Sequence, residues 1–182
     1  MERIAFLIFS GLEGWSHRLS YQSAGPQVDL LIRGSSAAWY DLFDLLHLDR
    51  KKRGILVEAK AIEKVVDDQM FARLCSVARD NLKSQVGLGV FVTINGASGF
   101  PKGSENLRKL SDARLRQAIF HARTEIPIVV LTRAELSCLT RPGALVEVLE
   151  EKIVEIEQQI GGFPSIAKYK RCELPDHLSK IR

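Results

Sequence analysis

Two rhythms of apolar and polar positions alternate along this chain. Short apolar runs bounded by Gly, Pro or Ser predict buried strands. Longer stretches with apolar residues every three or four positions predict amphipathic helices. The strand candidates are QVDLLIR (27–33), ILVEAKA (55–61), VGLGVFVTI (86–94) and IPIVVLT (126–132), with WSHRLSYQ (15–22) a fifth. Gly25-Pro26 and Gly34-Ser35-Ser36 punctuate the first of these. Residues 2–9 fit a short helix or a strand. Residues 66–83 predict a helix with Phe71, Leu74, Cys75, Ala78 and Leu82 as its buried stripe, opened by Asp67 and Asp68, whose charges suit a helix start. Further helices are expected over 105–123, 134–139 and 143–160. Between QVDLLIR and ILVEAKA, residues 37–48 form an amphipathic insert with Trp39, Leu42, Phe43 and Leu46, and with them Leu45, on one face.

Strands that are apolar throughout and separated by helices argue for parallel pairing with both faces covered. The order runs hairpin or meander first, then helix, strand, helix, strand. That is an α+β, three-layer arrangement: a mixed central sheet flanked by helices, with an extra helix at the C-terminal end. No GxGxxG or P-loop pattern is present. We divide the chain into a core over 1–140, carrying an insert at 35–53, and a helical extension and tail over 141–182. The stripe Val146, Leu149, Ile153, Ile156 and Ile160 must bury on the domain itself or on a second copy.

Candidate chemistry sits on two of the strands. Strand side chains alternate, so Glu58 and Lys60 share a face with Leu56, while Ile55, Val57 and Ala59 face the other way. An acid and a base two apart on an apolar strand are costly without a purpose. QVDLLIR places Asp29 inside another apolar run. Two carboxylates brought together repel, and a cation resolves the conflict. Carboxylates with water and carbonyl oxygens are the hard ligands that Mg²⁺ takes, and Lys60 would reach a phosphate or an attacking water.

The order Gly25-Pro26-Gln27-Val28-Asp29, then Glu58-Ala59-Lys60 on an apolar strand, then a helix and a strand, resembles the PD-(D/E)xK, or restriction-endonuclease-like, nuclease superfamily over about residues 1–135. The resemblance implies a core of helix, three-stranded meander, helix and strand (αβββαβ). It implies Asp29 and Glu58 as ligands of Mg²⁺ or Mn²⁺, and Lys60 acting at the water or phosphate. It also makes Gln69, on the helix after Lys60, a candidate for the site. Three departures stand out. Pro26 lies three residues before the Asp rather than next to it, the 35–53 insert lengthens the path to Glu58, and a first-helix acid is either Glu2 or Glu13.

Composition adds boundaries. The chain has 182 residues, 46% hydrophobic and 26% charged, with a formal charge of +4. That surplus is compatible with a polyanionic partner. Arg73 on the helix after Lys60, and Lys109, Arg116 and Arg123 at seven-residue intervals, are candidates to track a phosphate backbone. Cys75, Cys138 and Cys172 lack CxxC spacing and read as free thiols, and the four scattered histidines offer no zinc site. The apolar run Ile4–Ile8 is too short for a secretory core, and no stretch is long enough to span a bilayer, so a cytoplasmic protein with no membrane partner is expected. The expected function is therefore a metal-dependent endonuclease acting on DNA, of restriction, repair or defence type. The alternatives are a catalytically inactive nucleic-acid-binding or assembly module, and an interaction protein that forms a homodimer or binds a partner through 143–160 or 37–48.

Overall fold

The computed structural model describes residues 2–12, 15–22, 27–61, 64–100 and 110–159; for 15–22 and 27 it describes the backbone. In chain order the elements are α1 (Glu2–Phe9), β1 (Trp15–Gln22), β2 (Gln27–Gly34), α2 (Ala37–Leu45), β3 (Gly54–Lys60), α3 (Asp68–Ser76), β4 (Val86–Thr93), α4 (Asp112–Thr124), β5 (Ile128–Leu131), α5 (Arg133–Ser137) and α6 (Ala144–Gln159). The five strands form one sheet in the order β1-β2-β3-β4-β5. β1, β2 and β3 are an antiparallel meander, whereas β4 runs parallel to β3 and β5 parallel to β4. Each parallel step is bridged by a helix, α3 and then α4, as a parallel crossover requires. This is the mixed α+β architecture expected from the apolar pattern.

Strand alternation splits the core into two clusters. Ile55, Val57 and Ala59 of β3, with Leu88, Val90 and Val92 of β4, face α1, α2 and α6. Leu56 of β3 and Phe91 of β4 face the other way, under α3 and α4. The sequence leaves open where two apolar faces bury, and the structure seats both on the sheet. Leu145, Val146, Leu149, Ile153 and Ile156 of α6 are buried in the same cluster as the strands. The α6 stripe therefore packs on its own domain, and the described part of 141–182 is built into the core (Ile160 lies outside the described residues). Trp39, Leu42, Phe43 and Leu46 of α2 are buried there too, and the Trp39 indole N–H donates to the Arg53 carbonyl at 2.9 Å. Both stripes are thus taken out of water by the chain's own sheet.

α3 is placed by its N-terminus. The Asp67 carboxylate caps it, accepting the Met70 N–H at 2.8 Å. Just before the cap, Val66 bridges to the loop after β4: its N–H donates to Gly96 O, and its carbonyl accepts from Ser98 N, both at 2.8 Å. The start of α3 is thus stitched to the end of β4. Past Ser76 the helix widens into a π turn over Val77–Asn81, where the Leu82 N–H reaches back to Val77 O. Such turns shift the side chains that follow them relative to a regular helix. The expected helix over 105–123 is described from Asp112 onward.

Among the described residues no helix is long and apolar enough to cross a membrane.

Candidate active site at the β2–β3 fork

The β2–β3 ladder runs from Arg33↔Gly54 to Leu30↔Val57 and ends there. β3 continues to Lys60 along β4, so the two strands part where Asp29 and Glu58 stand, one register step past the last pair. At this fork the Asp29 carboxylate, through Oδ2, accepts the Ala59 N–H at 2.7 Å. A side chain has taken the place of the next ladder bond. The arrangement fixes Asp29 against β3 and leaves lone pairs of its other oxygen for a further ligand. The strand pattern changes at the same point: Val28 and Leu31 share the α3-side cluster, while Leu30 lies in the opposite one.

Glu58 points under α3, as alternation from Leu56 requires, and its side chain is 5% exposed. Burying a carboxylate demands counter-charge. Two cations supply it at one oxygen: Lys60 Nζ lies 2.6 Å and Arg73 Nη1 3.1 Å from Glu58 Oε1. A narrow recess beside the carboxylate is lined by Val28, Glu58, Met70, Arg73, Leu74 and Val77. The structure therefore brings Asp29, Glu58 and Lys60 together at one place.

The other site expectations fare differently. Arg73, expected at a phosphate backbone, is instead the second cation on Glu58, because α3 packs across β3. Arg116 holds Asp68 with two bonds of 2.6 Å, joining α4 to the first turn of α3, and its guanidinium keeps the Asp68 carboxyl below the usual range. Lys109 lies outside the described residues. Gln69 is exposed one turn before Arg73 and does not line the recess. Glu2 is exposed at the start of α1, whose buried residues pack on the opposite face of the sheet from Glu58, and Glu13 lies outside the described residues. The basic turn after α2 is engaged internally: Arg50 pairs with Asp44, Lys52 with Asp49, and the Arg53 guanidinium sits 5.1 Å from the centre of the Tyr40 ring.

One residue escaped the sequence reading. Thr93 pairs with Lys60 in the parallel β3–β4 register, is fully buried, and its Oγ1 has no hydrogen-bond partner among the described residues. The signal available in the sequence is the polar end of an otherwise apolar strand. Cys75 lies on the buried side of α3, and burial pushes its thiol up to about 12, which leaves it inert as a nucleophile.

The donors at the fork fit Mg²⁺ or Mn²⁺. Among the described residues no group of three His, Cys, Asp or Glu gathers to hold a metal. Zinc normally asks for such a set. Mg²⁺ takes one or two carboxylates and keeps much of its water, so a pair such as Asp29 and Glu58 is the kind of donor set it accepts.

No family model, curated protein or solved structure matches the chain.

Proposed function

We propose that this protein is a Mg²⁺- or Mn²⁺-dependent nuclease that hydrolyses phosphodiester bonds, with DNA as substrate, on a restriction-endonuclease-like core. The observation that carries the reading is the fork: two carboxylates on parting strands, with the lysine two residues beyond the second. The order α1, three-stranded antiparallel meander, α3 and parallel β4 supports the αβββαβ core. The α2 segment then lengthens the β2–β3 connection without disturbing the meander. α5 and α6 close the face opposite the site.

In this reading Asp29 and Glu58 would hold the ion, which when bound would supply charge stabilisation at the phosphate and a more acidic water. Asp29 is pre-oriented by the Ala59 N–H, so little reorganisation is needed at the moment of binding. Lys60 moves from Glu58 to the attacking water or a phosphate oxygen, and its flexible stem suits that short travel. The apolar walls from Val28, Met70 and Leu74 keep bulk water from one side of the carboxylate, which strengthens each charge interaction there.

One observation favours the competing reading, a non-catalytic nucleic-acid-binding or assembly module: Glu58 is already neutralised by two cations. The decisive test is cleavage of supercoiled plasmid and of single strands with Mg²⁺ or Mn²⁺. We expect metal-dependent cutting by wild type, reduced at least about 100-fold in Asp29→Ala and in Lys60→Ala. A folded wild type that binds neither ion and cuts no nucleic acid would overturn the nuclease and leave the module.

A further inference from the structure

A buried carboxylate needs one cation, yet Glu58 has two on the same oxygen. They differ in kind. Lys60 rises from the same strand, and its side chain is 27% exposed. Arg73 reaches in from the solvent flank of α3, at the mouth of the recess, and its side chain is 48% exposed. With both engaged, the charges of Asp29, Glu58, Lys60 and Arg73 sum to zero. A divalent ion arriving at the fork then meets no net attraction from these four groups. With Arg73 withdrawn it meets a net charge of −1. A guanidinium does not shed its proton in a protein, so its charge leaves the site only if the side chain moves.

We propose that Arg73 is an electrostatic gate on the metal site. It holds Glu58, gives way to an incoming ion, and then engages a phosphate of the bound nucleic acid from the rim of α3. This inference rests on the nuclease reading and adds its regulation. The fit to phosphate is chemical: a planar fork of N–H donors that binds a carboxylate also binds a phosphate. Its half-exposed position lets it swing outward without breaking the helix that carries it.

The gate couples two ligands. An ion that releases Arg73 makes it available to phosphate, and a phosphate that retains Arg73 clears Glu58 for the ion. Linkage requires that each ligand raise the affinity of the other by the same factor. A purely structural Arg73, cross-linking α3 to β3, gives no such coupling.

The test is calorimetry of Mn²⁺ binding to the full chain as wild type, Arg73→Gln and Arg73→Lys, alone and with a phosphorothioate DNA duplex that resists hydrolysis. Circular dichroism and a thermal melt establish that each variant is folded. We expect Arg73→Gln to bind Mn²⁺ about tenfold more tightly than wild type. The duplex should tighten wild-type Mn²⁺ binding by a similar factor and leave Arg73→Gln unchanged. Arg73→Lys should fall between the two, because it keeps the charge but not the fork. Unchanged or weaker Mn²⁺ affinity in folded Arg73→Gln overturns the gate, as does a wild type whose Mn²⁺ affinity ignores the duplex. If wild type binds Mn²⁺ and cuts while Arg73→Gln matches it in affinity, only the assignment of Arg73 fails. If wild type neither binds Mn²⁺ nor cuts, the nuclease reading fails and the gate with it.

Discussion

On the face of the sheet under α1, α2 and α6, β3 and β4 present only aliphatic side chains: Ile55, Val57 and Ala59, then Leu88, Val90 and Val92. On the face under α3 and α4 the same strands carry Glu58, Lys60 and Thr93 toward their C-terminal ends, after Leu56 and Phe91 have built the core. The covering helices follow suit. α6 contributes Leu149, Ile153 and Ile156, whereas α4 contributes buried Arg114 and Gln117, the latter donating to Ile128 O at 2.6 Å. Both faces bury an apolar cluster that contributes stability. The second face in addition carries buried charge and the buried Thr93 hydroxyl at the C-terminal ends of its strands, a pattern common where function is built.

If the faces divide the work this way, truncation on the first should unfold the protein and substitution on the second should disarm it. The largest stability effect is expected from Phe43→Ala on α2. This side chain is fully buried against Trp39, and its loss should cost about 3–5 kcal/mol, read as a shift in the urea unfolding midpoint. The same variant tests whether α2 is a structural wall, since a dispensable insert would tolerate the change. Next, Glu58→Gln should stay within about 1 kcal/mol of wild type, because the amide keeps an acceptor for Arg73 and Lys60 can turn to water. Its cleavage should be lost. A large destabilisation by Glu58→Gln would erase the contrast between the faces.

The smallest effect concerns His121, half-buried on α4. Burial lowers its pKa from the ordinary 6.5, against the opposing pull of Glu157 and Glu125. The unfolded chain therefore takes up the proton first as pH falls. The stability this neutral histidine contributes is present above pH 6.5 and is lost as pH drops through the depressed folded value. Urea unfolding at pH 7.5 and 5.5 should show less stability at the lower pH, and His121→Gln should narrow the gap.

Much of this was legible before the structure. The five strands, the acidic start of α3 at Asp67 and Asp68, and the shared face of Glu58 and Lys60 follow from period and punctuation, which are local properties. The convergence of Asp29 with Glu58 was legible as well, because it needs only adjacent strands in an antiparallel meander. What escaped depends on docking over longer range. Arg73 meets Glu58 across the α3–β3 packing, and Arg116 meets Asp68 across 48 residues, so helical spacing alone made both look like solvent-facing cations. The amphipathic faces of α2 and α6 were read correctly as apolar, but amphipathicity does not say whether a face meets its own sheet or another molecule. The sheet is wide enough, once β5 is added, for both to bury on it.

The most direct measurement of the central proposal is a crystal of the wild-type protein soaked in Mn²⁺, with the ion located by its anomalous scattering. We expect a single strong peak at the β2–β3 fork, bound by carboxylate oxygens of Asp29 and Glu58, with the Arg73 guanidinium withdrawn from Glu58. Density that leaves the Lys60 and Arg73 pairs with Glu58 intact, and places no ion at the fork at saturating Mn²⁺, would contradict a metal-dependent active site there.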